Sequence, residues 1–314
     1  MLGGKRVAVV VPAYDEERLV GETIRGIPAF VDRILVVDDA SRDGTSATAE
    51  AVGDPRVDVL RHERNEGVGA AITTGYRRAL EEEIDVTCVM AADNQMDPAE
   101  LEGLVEPVAC GDVEYAKANR LVSGEAWKAI PRTRYLGNAV LSLLTKIASG
   151  YWHVADSQAG YTALSLEALR RLHLGALYPR YGFPNDMLVH LNVQNARVRD
   201  IPSRPIYDVG ERSGIKLRAV VPRISWLLFK GFWWRMGQKY VIRDFHPLVF
   251  FYALGTLMTA LGLLLGIVVA VSRIFFGNEI TTPTIVLVAL LLISGTQFVL
   301  FGMWFDQESN KELR

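Results

Sequence analysis

Short polar residues crowd the stretch "MAADNQMDP", Met90 to Pro98, directly after the apolar run "VTCV". Asp93 and Gln95 place two oxygen ligands on either side of a single residue. Hard cations such as Mg²⁺ or Mn²⁺ take oxygen ligands and commonly share them with phosphates. Asp97-Pro98 followed by "AELEGLVEPV" reads differently, as a helix start with Asp97 at the N-cap and Pro98 at the first helical position. The stretch therefore combines a cation ligand at Asp93 with a cap at Asp97.

Three further polar clusters follow apolar runs in the same way: "PAYDEE", "DDASRDGT" and "RNEGVGAA". Adjacent acids at a strand end point in different directions. One of Asp38 and Asp39 can thus hydrogen-bond a ribose or base while the other caps the backbone donors of Ser41 to Thr45. "NEGVGAA" is neither a dinucleotide fingerprint nor a GxxxxGKS phosphate loop. Gly67 and Gly69 either permit a tight entry into a helix or let backbone amides approach an anion.

The elements that must position these clusters alternate in type. "RVAVVVPAY", "RILVVDD", "VDVLRHE" and "VTCVMAAD" are apolar enough for buried strands, and helical patterns such as "ERLVGETIRGIPAF" and "GVGAAITTGYRRALEE" separate them. That order predicts an α/β domain with a mainly parallel sheet covered on both faces. Ligands in such sheets bind beyond the carboxyl ends of the strands, where the four polar clusters fall.

Of the 314 residues, 50% are hydrophobic, and the mean hydropathy of +0.16 is high for a wholly soluble chain. The surplus is C-terminal: Phe245 to Ser272 and Ile280 to Phe305 contain no Asp, Glu, Lys or Arg over 28 and 26 residues. Either run is long enough to cross about 30 Å of hydrocarbon as a helix. The short connection between them implies a hairpin. From Arg212 to Arg243 there are eight Lys and Arg and no acid, which by the positive-inside rule puts the large domain and both termini in the cytoplasm. "VVPRISWLLFKGFWWRMGQKYVIRDF" mixes aromatics with spaced cations, as helices in a headgroup layer do. Its place before a membrane span argues against a nucleic-acid partner. Cys88 and Cys110 form no CxxC, which disfavours a disulfide scaffold or a thiolate zinc site. The N-terminus reads as a first strand and not as an export peptide. Small residues in "GTLMTALG" would suit helix packing, including homo-oligomerisation through the hairpin.

In order, "VVVPAYDEE", "ILVVDDASRDGT", "RNEGVGAA", "ADNQMDP", "DSQAGYTAL" and "GFPNDMLVHL" span roughly residues 5 to 215. This set resembles the inverting family 2 glycosyltransferases of the GT-A fold. More narrowly, it is similar to the membrane-bound polyprenyl-phosphate glycosyltransferases of the dolichyl-phosphate mannose synthase type. The resemblance implies a Rossmann-like GT-A domain over 1–214, with amphipathic juxtamembrane helices over 215–244. Spans at 245–273 and 280–305, a loop at 274–279 and a tail at 306–314 would follow.

The resemblance also implies site residues. Pro12, Tyr14, Glu16, Asp39 and Gly67 would hold the nucleotide. The family's metal motif is commonly Asp-x-Asp-x-Gln; here Ala91 replaces the first acid, leaving Asp93 and Gln95 for Mg²⁺ or Mn²⁺. Arg120 and Arg134, fourteen apart, would grip the lipid phosphate, with Asn138 one turn further on. Arg212 and Lys216 would lie near the donor diphosphate or acceptor phosphate. Asp156 and Gln158 would recognise sugar hydroxyls or orient the acceptor, and Asp186 would orient hydroxyls or phosphate. The implied reaction moves a hexose from GDP-mannose, UDP-glucose or UDP-N-acetylglucosamine to dolichyl or polyprenyl phosphate, with inversion. Two other readings stay open: a membrane family 2 enzyme with a hydroxyl acceptor, and a non-catalytic scaffold, for which Ala91 is the main support.

Overall fold

The computed structural model describes residues 1–121, 132–204, 206 and 217–314. By packing, the chain divides into one unit of Met1–Trp233 with Glu312–Arg314, and a second of Trp234–Lys311.

Among its described residues the first unit has seven strands: β1 (Val7–Ala13), β2 (Arg33–Asp38), β3 (Val57–Arg61), β4 (Val86–Val89), β5 (Tyr115–Asn119), β6 (Thr162–Ser165) and β7 (Val198–Pro202). They form one sheet in the order β3-β2-β1-β4-β6-β5-β7. β1 pairs in parallel with β2 and β4, β2 with β3, and β5 with β7. Only β6 runs against its neighbours β4 and β5. Two reversals restore direction, so β5 and β7 end on the same rim as β1 to β4.

β1, "VAVVVPA", is buried at all seven positions. Its side chains alternate between faces, as strand geometry requires. Val7, Val9 and Val11 join one core with Ile34, Val36 and Leu104, while Ala8 and Val10 join another with Leu35, Val37 and Tyr76. Helices α1 (Val20–Gly26), α2 (Thr45–Ala51) and α4 (Leu101–Ala109) contribute to the first face. The second is covered by α3 (Val68–Glu81), α6 (Leu166–Arg171) and α7 (Phe183–Val193). Each fully buried Val, Ile or Leu contributes about 1.5–3 kcal/mol relative to exposure. This two-sided core is therefore the main force that fixes the strand ends. A third, smaller cluster joins α5 (Arg132–Ser149), α7 and α8 (Leu217–Gly237) through Leu141, Val189, Ile224 and Leu228.

The second unit holds α9 (Leu248–Phe276) and α10 (Thr282–Ser309), both long and apolar enough to cross a membrane. Their backbones approach closely: a Cβ on Gly255 would lie 2.8 Å from Val299 N, and one on Gly295 would lie 2.6 Å from Thr259 N. The small residues of "GTLMTALG" thus pack the hairpin's own two helices. Before α9, a π-helical turn (Gln238–Arg243) carries Tyr240, whose hydroxyl donates to Asp306 Oδ1 at 2.8 Å. Arg235 donates to both oxygens of Asp306, each at 2.8 Å, with neither side chain exposed.

Candidate functional site

The polar loops beyond β1 and β2 are knitted to one another. Asp15 N–H donates to Ser41 Oγ at 3.0 Å, Arg42 N–H to Asp15 Oδ1 at 2.8 Å, and Glu16 N–H to Thr45 Oγ1 at 2.9 Å. The adjacent acids divide their work. Asp38 accepts from Ser41 N–H at 2.8 Å and from the Ser46 hydroxyl. Burial opposes its ionisation, but these donors and Arg61 outweigh burial and hold its carboxyl below the ordinary range. Asp39 reaches across to the third loop. Its Oδ1 accepts from Glu66 N–H and its Oδ2 from Gly67 N–H, both at 2.8 Å, and His62 Nδ1 lies 2.8 Å from Oδ1.

The glycine-rich loop is shaped by packing. Gly67 has φ +105°, and a Cβ there would sit 2.5 Å from Pro179 O; one on Gly69 would sit 2.4 Å from Tyr178 O. Ala70 N–H donates to Pro179 O at 3.0 Å. The amides of Glu66, Gly67 and Ala70 are therefore engaged with protein acceptors, and the glycines admit the turn that carries Tyr178 to Gly182. Asp186, in the first turn of α7, pins that turn from behind by accepting Tyr178 N–H at 2.8 Å. Burial pushes Asp186 up to about 6 against this hydrogen bond. His190 Nε2 lies 3.7 Å away and is itself pushed down to about 4 by burial and by His173.

These loops enclose an open cleft of about 900 Å³. Pro12, Tyr14, Glu16, Asp39, Gly67 and Asp93 all line it. The sequence reading named these six, and the fold gathers them. Asp15, Glu17 and Asp43 add to an acid-rich wall, while Arg18 and Arg180 bring cations. Arg180 was not singled out from the sequence. Its only signal was a cation in "YPRYGFPND", just ahead of a helix start.

Gln95 lies elsewhere. It lines a small open cavity of about 30 Å³ together with Arg120, Tyr161, Ser203 and Arg204. The link to the cleft is direct, since Asp93 Oδ1 accepts Gln95 N–H at 3.2 Å. Asp97 caps the turn that follows, accepting Ala99 N–H at 2.9 Å with Pro98 next in line.

Beneath the cavity, Arg120 donates to Asp156 Oδ2 through Nε at 2.8 Å and to Oδ1 through Nη2 at 3.2 Å. Asp156 is buried and also accepts the amides of Gln158 and Ala159. Burial would raise its carboxyl, but Arg120 and then Lys117 hold it below the ordinary range. Lys117, wholly buried in β5, donates to Ala159 O. Burial pushes Lys117 down to about 8 despite the nearby Asp156 and Asp200. Sequence reasoning passed over Lys117 because a strand lysine ordinarily faces water. Asp156 therefore acts here as the support of Arg120, and the Gln158 side chain donates to Ser157 Oγ at 3.0 Å. Arg134 and Asn138 fall on α5, but their side chains lie outside the described residues, as do Arg212 and Lys216 entirely.

Among the described residues no three His, Cys, Asp or Glu gather into a metal cluster. A divalent cation here would take Asp93 as its protein carboxylate and complete its shell from water and phosphate. That donor set suits Mg²⁺, which binds through one or two carboxylates plus substrate phosphates.

Residues 8–172 match the family model described as glycosyl transferase family 2. The chain belongs to that family. The undecaprenyl-phosphate mannosyltransferase of Micrococcus luteus is 32% identical over 230 residues, covering 70% of this chain and 93% of that protein. The polyprenol monophosphomannose synthase of Mycolicibacterium smegmatis is 32% identical over 232 residues, covering 70% and 86%. The UDP-N-acetylglucosamine–dolichyl-phosphate N-acetylglucosaminyltransferase of Methanococcus voltae is 28% identical over 221 residues, covering 66% and 88%. Among solved structures, glucosyl-3-phosphoglycerate synthase from Mycobacterium tuberculosis, in complex with Mn²⁺, UDP and glucosyl-3-phosphoglycerate, superposes with a TM-score of 0.57. It is 20% identical, with 74% of this chain and 81% of that chain covered, a likeness of fold. The domain is thus the GT-A α/β fold that the motifs implied. In this family 2 glycosyltransferase, the acid-rich cleft and the arginine-lined cavity meet at Asp93–Gln95.

Proposed function

We propose that the protein transfers a hexose from a nucleotide-sugar to a polyprenyl or dolichyl phosphate, inverting the anomeric carbon. The observation that carries this reading is the pairing of two recesses of different chemistry at one loop. The acid-rich cleft suits a nucleotide with its cation, and the cavity beside it presents Arg120, held by a buried carboxylate. Relatives that act on undecaprenyl, polyprenol and dolichyl phosphates support the acceptor class.

In this reading the nucleoside lies along Pro12, Tyr14 and Glu16, on the wall that Asp39 braces through Glu66 and Gly67. Mg²⁺ or Mn²⁺ held at Asp93 would neutralise charge on the departing diphosphate. Arg120 grips the acceptor phosphate, because a planar guanidinium offers paired donors to phosphate oxygens. A phosphate oxygen attacks C1 of the sugar, the bond from C1 to the diphosphate oxygen breaks, and the nucleoside diphosphate leaves. A phosphate with a second pKa of about 6 is largely dianionic at neutral pH, so the attack needs no general base. Asp186 fits this scheme as the brace of the 178–182 turn.

The hairpin would anchor the domain at the bilayer, on the cytoplasmic side by the basic excess between Arg212 and Arg243. α8 supports an interfacial placement: Trp226 and Phe229 are 59% and 53% exposed. Their rings stack at 5.4 Å, with Lys230 Nζ 6.0 Å from the Trp226 ring centre.

The test uses protein purified in detergent with undecaprenyl or dolichyl phosphate. GDP-mannose, UDP-glucose and UDP-N-acetylglucosamine are supplied separately with Mn²⁺ or Mg²⁺, and sugar is counted in the organic phase. Transfer from one donor, lost with chelator, is expected. Nucleotide binding with no labelled lipid phosphate from any donor would sink the acceptor assignment.

A further inference from the structure

Arg120 and Arg204 are far apart in sequence, yet the sheet delivers both to one place. β5 and β7 are parallel neighbours, with Asn119 opposite Pro202 in the register. Each chain leaves its strand at the carboxyl rim, so Arg120 emerges beside Ser203 and Arg204. Ser203 N–H donates to Asn119 O at 3.0 Å, which continues the pairing past the strand ends.

The carboxylate of Glu100 then fixes the second exit. Its Oε2 accepts the Ser203 hydroxyl at 2.5 Å and its Oε1 accepts Arg204 N–H at 2.9 Å. Glu100 belongs to the same turn, Pro98–Glu100, that Asp97 caps. The loop carrying Asp93 and Gln95 is thereby tied to the backbone of Arg204. Tyr161 ties it again, its hydroxyl donating to Asp97 O at 3.0 Å. Both arginines line the small cavity with Gln95 and Ser203. No carboxylate among the described residues pairs with the Arg204 guanidinium, whereas Arg120 is braced by Asp156.

We propose that Arg204 is a further guanidinium of the acceptor-phosphate site, binding a phosphate monoester together with the Asp156-braced Arg120. The inference rests on the acceptor reading given above. Size supports the ligand class. The recess is small, about 30 Å³, which suits one or two phosphate oxygens. Charge agrees, since no acid lines the recess among the described residues, and Asp156 and Glu100 are engaged in holding the arginines' positions. Two guanidiniums on one phosphate give paired, directional donors that a lone lysine would not.

The experiment measures calorimetric binding of farnesyl phosphate, inorganic phosphate and farnesol to the full chain in detergent. UDP and GDP binding is measured on the same samples. The wild type is expected to bind farnesyl phosphate, with inorganic phosphate competing and farnesol not binding. Arg204→Ala should weaken farnesyl phosphate by about tenfold or more, the scale of one charge-assisted pair, with nucleotide affinity unchanged. Arg204→Lys should recover part of the loss. If Arg120→Ala loses farnesyl phosphate and Arg204→Ala does not, this inference is overturned while the acceptor reading stands. If Arg204→Ala weakens nucleotide equally, the residue serves the donor and the inference fails. Nucleotide binding without farnesyl phosphate binding in the wild type would overturn the acceptor reading and this inference with it.

Discussion

Asp93 and Gln95 are joined by a 3.2 Å hydrogen bond from the Gln95 amide to Asp93 Oδ1, yet they line different recesses. Asp93 faces the large acid-rich cleft and Gln95 the small cavity that holds Arg120. In sequence the pair reads as two ligands of one cation. In the fold the pair joins the two recesses, which the proposed function reads as donor and acceptor sides.

Exchanging the two residues should therefore separate two kinetic effects. In the proposed reaction Asp93→Asn would remove the carboxylate that holds the cation, and it should lower kcat by about 10²–10³, the scale of losing one preorganised electrostatic contact. The loss should be partly recovered by raising Mn²⁺. Gln95→Ala should instead raise KM for the lipid phosphate more than KM for the nucleotide-sugar. Steady-state kinetics with each substrate varied at several Mn²⁺ concentrations would check both. Equal effects on the metal dependence would restore the two-ligand reading.

Asp186 gives a pH prediction with a definite sign. Its carboxyl is raised from 3.8 to about 6 by burial, so the folded state favours the protonated form. The stability it contributes is full below 3.8 and is lost as pH rises through about 6. That interval is worth about 3 kcal/mol. His190 acts in the opposite direction, since a folded value of about 4 against 6.5 means its contribution is lost as pH falls. Asp186→Asn keeps an acceptor for Tyr178 N–H but cannot ionise. Denaturant unfolding from pH 4 to 8 should show the variant gaining on the wild type between about pH 4 and 6, with the difference level above that. Parallel curves for the two proteins would refute the assignment.

Gly67 should resist even the smallest side chain. Its φ of +105° is costly for other residues, and a Cβ would lie 2.5 Å from Pro179 O. Gly67→Ala is expected to cost about 1–3 kcal/mol of stability through backbone strain. It should also weaken nucleotide binding, because displacing the turn moves Arg180 and Tyr181 on the cleft wall. Thermal unfolding and nucleotide titration on the same preparation would test this. Unchanged affinity in a destabilised variant would confine the glycine to a packing role.

The sheet was legible because β1, β2 and β4 are short, mostly apolar runs rich in Val and Ile that a sheet buried on both faces accommodates, and β3, "VDVLR", repeats the pattern more weakly at the edge of the sheet. The six cleft residues were legible because each polar cluster follows such a run. β6 is different: "TALS" has four residues and no strong pattern, and its reversed direction depends on pairing with both β4 and β5. Lys117 was illegible for a related reason. All five β5 residues are buried, and its charge is tolerated by acids from other segments, Asp156 and Asp200. Arg204 depends on the register between β5 and β7, which no local motif encodes. Asp39 was read as a nucleoside contact; what no local motif encodes is that its carboxylate also binds the third loop, at Glu66 and Gly67.

The Arg235–Asp306 pair is the last case where burial decides the outcome. Both side chains are wholly buried, the contact is doubly hydrogen-bonded, and Tyr240 and Asn310 donate as well to Asp306 Oδ1. Lys239 joins through Asn310 Oδ1 at 2.7 Å. Removing one partner leaves the other charge buried without compensation, so Asp306→Ala should cost about 3–5 kcal/mol. Replacing both with apolar residues removes that imbalance, and Arg235→Met with Asp306→Leu should be less destabilised than Asp306→Ala alone. Thermal unfolding in detergent of Arg235→Met, Asp306→Leu and the double variant closes the cycle. Additive losses would mean that the two groups are stabilised separately and not by one another.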